Sequence, residues 1–438
     1  MPDNQINYSS YSTIPAYELM PSKSEIEKIN RGKVFIPCEA GRGCSFNCAF
    51  CCSSSIWNRR VVFFNTDIIL KQLDEIRARY GEITIYFTCD NLIYNHDLID
   101  FLCKALKGRE LKWQCRGRLD IDCDYEKLYN SGCEMIMVGI ESAQSKTWKK
   151  IQKGRFPEDI IAKISDITNI GLGVTATYIV GFPFETRFDV SNTLLHAIRV
   201  SSNPNSDVSV HALTPLPKTA IYDSYQDIHF NNGTDLVRGL EFSDGLLPID
   251  VSLIKSDANL FLGFYSFNCG IDNIISIAET ATALCKTSIF TNALLEYCKF
   301  TIDVVFNLSE DSYEQEKLER KIITLIDTCD FLKNEEKIVL RELFEIESCL
   351  RGLKQLDFEK FGMPQQFHLA RDAGFLVILC SYNFSKIFNS RLFSFSMNMY
   401  AGANSYAIIF NPSNKKYVLL KTGTSIENIV YSTYLLRK

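Results

Sequence analysis

The chain has 438 residues, 46% of them hydrophobic and 23% charged, with a formal net charge of −5. Such a balance excludes a disordered chain and fits two or three folded domains. The weak acidity and the lack of like-charge runs speak against a nucleic-acid surface. No apolar run approaches the roughly 20 residues of a membrane helix; FLVILC at 375–380 is among the greasiest.

The N-terminal stretch MPDNQINYSSYSTIPAYELMPSK has no apolar core behind positive charge, so no signal peptide is expected and a cytoplasmic location follows. Residues 1–32 read as a polar, irregular arm. From residue 33 strand and helix patterns alternate. KVFIPCEAG is strand-like and runs straight into GRGCSFNCAFCC at 41–52. NTDIILKQLDEIRARYG has helical apolar spacing at Ile69, Leu73, Ile76 and Tyr80. ITIYFTCDNL reads as strand, HDLIDFLCKALKG as helix, LKWQCRGRLD as strand, YEKLYNSG as a short helix and EMIMVGIES as strand. PEDIIAKISDITNIGLG is predicted as a helix opened by Pro157 and closed by glycines. VTATYIVGFP, FDVSNTLLHAIRVSS and VSVHALTPLP follow as strand, helix and strand. Alternation of this kind predicts an α/β fold, a parallel sheet with helices outside, wholly or partly closed into a barrel.

Beyond about residue 225 the alternation stops. Helical stretches dominate 257–362, and SYAIIFNPSNKKYVLLKTG reads as a hairpin around Asn-Pro-Ser-Asn. The expected organisation is an arm at 1–32, an α/β core at 33–225, a mainly helical domain at 226–365 and a small C-terminal α+β region at 366–438.

The chemistry is concentrated in GRGCSFNCAFCC, where Cys44, Cys48, Cys51 and Cys52 crowd together with Phe46 and Phe50 between them. A disulfide knot is disfavoured in a reducing compartment, and most of the other cysteines are scattered singly through helix and strand patterns. Structural zinc wants four closed ligands. Cys38 or Cys52 would have to complete the set, and adjacent side chains such as 51 and 52 rarely converge on one ion. The spacing Cys-x3-Cys-x2-Cys suits three thiolates that each hold one iron of a cubane [4Fe–4S] cluster, with the fourth iron open to another ligand.

At these residues the chain resembles the radical S-adenosylmethionine (SAM) superfamily, whose pattern is Cys-x3-Cys-x-aromatic-Cys, with Phe50 in the aromatic place. IYFTCDNL, RLD at 118–120, GIES at 139–142, KG at 153–154, IVGFPFET at 179–186 and LTPLP at 213–217 are similar, in order, to its methylthiotransferase-like and cobalamin-type branches. The resemblance covers about 33–225 and implies a partial (β/α)6 parallel barrel. It implies that Cys44, Cys48 and Cys51 hold a [4Fe–4S] cluster whose free iron chelates SAM, and that an electron from the cluster yields a 5′-deoxyadenosyl radical that takes a hydrogen from substrate. By the family pattern Phe50 lies against adenine, Asp90 near the SAM amino group, Arg118, Glu141 and Lys153 among the contacts at strand C-terminal ends, and Gly181 where the backbone approaches adenine. A reductant such as flavodoxin or ferredoxin is implied as partner. The plain alternatives are surface charges for Arg118 and Lys153, core packing for Phe50 and a turn for Gly181. An unpaired buried Glu141 is costly and harder to read as structural.

Three functions follow as expectations. The first is a single-cluster enzyme acting on a ribosomally made peptide, with Cα epimerisation leading and Cys329, Cys349 or Cys380 as hydrogen donor, although a cysteine on a helix ordinarily packs. It is drawn from the short stretch before the first strand, the absence of a second cysteine-rich motif and a weak likeness of the hairpin to peptide-recognition modules. The second is a radical enzyme modifying a small molecule in natural-product biosynthesis. The third is a non-catalytic iron–sulfur or zinc module. No nucleic acid and no membrane is expected as partner.

Overall fold

A computed structural model describes residues 17–29, 35–109, 111–203, 205–231, 247–287, 290–291, 293–297, 302–309, 315–330, 332–350, 376–380, 406–411 and 416–421. Most of the arm at 1–32 and the hairpin turn at 412–415 lie outside the described residues. The chain divides into two compact units, Met1–Val200 with Asn205–Ala278, and Ser201–Pro204 with Glu279–Lys438.

The first unit is built on six strands: β1 (Phe35–Cys38), β2 (Thr84–Phe87), β3 (Lys112–Gly117), β4 (Cys133–Glu141), β5 (Gly173–Val180) and β6 (Ser206–Ala212). They lie in one sheet in chain order, every neighbouring pair parallel. The connections carry helices α1 (Thr66–Tyr80), α2 (His96–Lys107), α3 (Tyr125–Asn130), α4 (Ile160–Asn169) and α5 (Arg187–Ser201). A sheet ordered this way is the partial α/β barrel the alternation predicts.

Side-chain polarity divides the two faces of the sheet. Ile85, Phe87, Trp113, Cys115, Ile136, Val138, Val174, Ala176, Tyr178 and Val180 are buried. Trp113 Nε1–H donates to the Ser131 carbonyl, at the end of α3, at 3.2 Å, which marks this as the helix-covered face. The alternate positions, among them Tyr86, Gln114, Arg116, Thr175, Thr177 and Ser209, are half-buried or exposed and line the other face. This period-two split follows from strand geometry, and the less buried face carries Met135, Met137 and Ile179 beside its polar groups.

The helices start where short polar side chains take orphan N–H groups. Asn65, Asn95, Asp124 and Asp159 accept from Asp67, Leu98, Lys127 and Ala162 in turn. The helix expected to open at Pro157 therefore starts at Ile160, because Asp159 provides the cap. Short elements escaped sequence reading, among them a helix in the arm and a strand pair beyond residue 225. Helix Lys23–Ile29 interrupts the arm, opened by Ser22, whose N–H and hydroxyl both donate to Glu25, and Ile26 is buried. Beyond residue 225, Ile228–Phe230 and Tyr265–Phe267 pair antiparallel; three residues each is too short for a periodic signal.

In the second unit, helices Asp303–Leu308, Gln315–Asp327 and Asn334–Leu350 bury Val305, Ile322, Ile326, Val339, Leu340 and Leu343. Strand Tyr406–Asn411 lies between Leu376–Cys380 and Lys416–Lys421 in an antiparallel three-stranded sheet. The hairpin pairs Tyr406 with Lys421 and Asn411 with Lys416.

Candidate functional site

The cysteine loop leaves β1 at the C-terminal edge of the sheet and is held on every side. Gly41–Arg42 pairs antiparallel with Val62–Phe63. Gly43 has φ +87°, and a Cβ there would collide with the Arg60 carbonyl oxygen, so only glycine lets the chain turn under the loop. Ala49 N–H donates to Ile151 O at 2.8 Å and Ala49 O accepts from Ile221 N–H at 3.0 Å. Asn47 Nδ2 donates to Gln152 Oε1 at 3.0 Å. The middle of the loop is thereby sewn to two distant segments.

Cys48 is buried, and Cys44 and Cys51 are half-buried. Burial pushes the Cys51 thiol up to about 11, with Cys52, Cys48 and Cys44 adding to the rise. A bound cation reverses that rise by holding the thiolate. Cys38 is a fully buried ladder residue opposite Phe87. The Cys52 carbonyl accepts from Ser55 and Ile56 at the start of helix Ser53–Ile56. Among the described residues no three His, Cys, Asp or Glu side chains form a ready single-ion site. Cys44, Cys48 and Cys51 stand on one pinned loop, a donor set that suits the three-thiolate site of a cubane.

Around the loop stand two buried ion pairs. Arg118, just past β3, donates through Nε and Nη2 to Asp120 Oδ1 and Oδ2, both at 2.8 Å, and through Nη1 to Cys48 Sγ at 3.4 Å. Burial works against its charge, and the Asp120 carboxylate outweighs that, so the guanidinium is held charged. Lys153 Nζ donates to Glu141 Oε1 at 2.5 Å, both side chains being buried. Glu141 has φ +62° and sits at a register shift between β4 and β5. That local strain turns its carboxylate out of the alternation expected of the strand. Two glycines make the space. A Cβ on Gly139 would collide with Glu141 Oε1, and a Cβ on Gly154, φ +106°, with Asp120 Oδ2.

Asp90, exposed at the end of β2, accepts from Ser53 Oγ at 2.6 Å, which ties it to the residues after Cys51. Its neighbour Asn91 is buried with both amide atoms unpartnered. An orphan of that kind costs about 1–3 kcal/mol unless a ligand or water meets it. Phe50 packs edge-to-face on Phe182 with ring centroids 6.0 Å apart, against a cluster of Ala49, Ile151 and Phe182. Gly181 has φ +88°, and its N–H donates to Glu185 Oε2 at 3.0 Å. Glu185 accepts from Phe182 N–H at 3.1 Å as well, and its other oxygen is buried without a partner. Ile274 and Cys269 pack over Gly181.

Asp90 through Ser53 and Arg118 through Cys48 reach the cysteine loop, Lys153, paired with Glu141, lies 5.9 Å from the Phe50 ring, and Gly181 joins them through the Phe182 cluster. Sequence reasoning missed Asp120, Asn91, Gly154 and Glu185. IYFTCDNL, RLD, KG and IVGFPFET contain all four, but the partner that gives each its part is set by the fold. The proposed hydrogen donors lie in the second unit: Cys329 is buried, and Cys349 and Cys380 close to or at the ends of helix Asn334–Leu350 and strand Leu376–Cys380 have side chains outside the described residues.

Residues 38–197 match the radical SAM superfamily. An uncharacterized methyltransferase of Pyrococcus horikoshii is 27% identical over 216 residues, 48% of this chain and 45% of that protein. The hopanoid C-2 methylase of Rhodopseudomonas palustris is 27% identical over 251 residues, 54% of this chain and 44% of that protein. The chain thus spans just under half the length of these curated relatives. The solved cobalamin-dependent SAM radical enzyme OxsB, with aqua-cobalamin and SAM bound, is 17% identical at TM-score 0.42, over 78% of this chain and 57% of that one.

Proposed function

The chain carries a radical SAM domain, whose cofactors are a [4Fe–4S] cluster and SAM, and from that premise we propose that Cys44, Cys48 and Cys51 hold the cluster. Bound together and reduced, the two cofactors supply a 5′-deoxyadenosyl radical that takes a hydrogen from substrate. The observation that carries the assignment is the pinned cysteine loop with a buried guanidinium on Cys48. Asp90 and the orphaned amide of Asn91 meet the amino-acid part of SAM, and the Glu141–Lys153 pair stands ready to exchange its partner for the SAM carboxylate. Phe50 and the Gly181 turn, held by Glu185, form the wall for adenine. The less buried face of the sheet takes the substrate and orients it. The protein works in the cytoplasm with a low-potential reductant of the flavodoxin or ferredoxin kind.

For the reaction we propose Cα epimerisation of a ribosomally made peptide, in which a thiol returns a hydrogen atom to the opposite face of the Cα radical and the thiyl radical left behind regains one electron from the reductant and one proton. Cys329, Cys349 and Cys380 are the donors to test, and Cys269 joins them because it packs against Gly181. In heavy water the peptide gains one deuterium at Cα, and one of the four Cys→Ala variants loses that label while still forming 5′-deoxyadenosine. 5′-Deoxyadenosine released beside an unlabelled peptide contradicts epimerisation. A second reading, transfer of a methyl group, is favoured by the names of the curated relatives; it gives a mass gain of one methyl group in the same experiment.

A further inference from the structure

We propose that Arg118 tunes the reduction potential of the cluster through Cys48, as one part of a built clamp with Asp120, Phe46 and Gly154. The inference rests on Cys44, Cys48 and Cys51 holding the cluster.

Arg118 is 6% exposed, and its guanidinium has three separate engagements. Nε and Nη2 are both taken by the Asp120 carboxylate, a two-point fork that fixes the plane of the group. The carbon of the guanidinium lies 3.8 Å from the centre of the Phe46 ring. Phe46 is itself braced edge-to-face by Tyr94, centroids 5.9 Å apart. What remains is Nη1, whose N–H points to Cys48 Sγ at 3.4 Å. Gly154 closes the other side, since any Cβ there would run into Asp120 Oδ2 and stand 2.9 Å from Arg118 Nη2.

A buried ion pair gains little net stability over an apolar packing of the same volume. The arrangement is better explained by what the third arm does. A charge-assisted N–H on a ligating sulfur draws electron density from the thiolate and favours the state with one more electron, a recognised lever on iron–sulfur potentials. The partner carboxylate works in the opposite sense and is held on the far arms of the fork. Removing either charge therefore shifts the couple in a direction fixed by which one is lost. A residue that merely packs predicts no such reversal.

The test is a redox titration of the full chain, anaerobically reconstituted without SAM, followed by the electron paramagnetic resonance signal of the reduced cluster. Arg118→Gln leaves Asp120 uncompensated, and at the wild-type midpoint its reduced-to-oxidised ratio falls at least tenfold, a downward shift of about 59 mV for one electron. Arg118→Lys keeps the charge without the fork and falls less. Asp120→Asn leaves the guanidinium and removes its counter-charge, so its midpoint rises. If Arg118→Gln takes up no iron, Arg118→Lys and Asp120→Asn still give the two opposite shifts. Unmoved midpoints, or shifts of the same sign in the arginine and aspartate variants, overturn the tuning role. Iron analysis of the wild type separates the failures: a chain without a cluster overturns both readings, and full iron with an unmoved midpoint overturns this one alone.

Discussion

Glu185 shows how a single side chain serves the site without touching the cysteines. One oxygen accepts from the N–H groups of Gly181 and Phe182, the other is buried without a partner, and burial pushes its pKa up to about 8 against the backbone bonds that lower it. Unfolded, it ionises near 4.5, so between those values the folded chain holds a proton that the unfolded chain has released. Its contribution to stability is complete below about pH 4.5 and is lost as pH rises toward about 8. Glu185→Gln keeps an accepting carbonyl and has no proton to lose. The wild-type Tm is expected to fall relative to that of Glu185→Gln between about pH 5 and about pH 8; a constant difference contradicts the protonated, buried carboxyl. At this scale the sequence carries its clearest signal where spacing itself is chemistry, in Cys44, Cys48, Cys51 and Phe50, which stand on one loop. It was unreadable where meaning depends on a partner far along the chain. Arg118 read as a possible surface charge because its three engagements reach to Phe46, Cys48 and Asp120.

Among elements, the loop between β1 and helix Ser53–Ile56 depends on glycine more than on any apolar contact. Gly43→Ala places a left-handed backbone under strain of about 1–3 kcal/mol and adds a collision with the Arg60 carbonyl. The loop must then lift away from Val62–Phe63, and iron uptake on reconstitution is expected to fall several-fold while far-ultraviolet circular dichroism keeps its shape. Full iron in this variant contradicts the view that the glycine shapes the ligand loop. The strands and long helices were legible because each carries a periodic apolar face over enough residues to be counted. Helix Lys23–Ile29 has a readable signal, Ser22 followed by Glu25, within an otherwise polar stretch. The shift that turns Glu141 has no signature in GIES, because a bulge is set by the pairing of β4 with β5.

Across the molecule, the cysteine loop and the two buried ion pairs belong to the first unit. The less buried face of the sheet holds Arg116, an exposed guanidinium over the Tyr86 ring at 5.8 Å, with Gln114, Thr175, Thr177 and Ser209 on the same face. No helix among the described residues is long and apolar enough to cross a membrane. The central claim is that three of the four cysteines in GRGCSFNCAFCC hold a cluster that cleaves SAM. It is tested most directly by anaerobic reconstitution of the wild type, Cys44→Ala, Cys48→Ala, Cys51→Ala and Cys52→Ala, with iron and 5′-deoxyadenosine measured after reduction in the presence of SAM. Wild type and Cys52→Ala are expected to hold about four irons per chain and to release 5′-deoxyadenosine, and the other three variants to release none. Zinc in place of iron in the wild type, or 5′-deoxyadenosine formed without Cys44, Cys48 or Cys51, contradicts the claim.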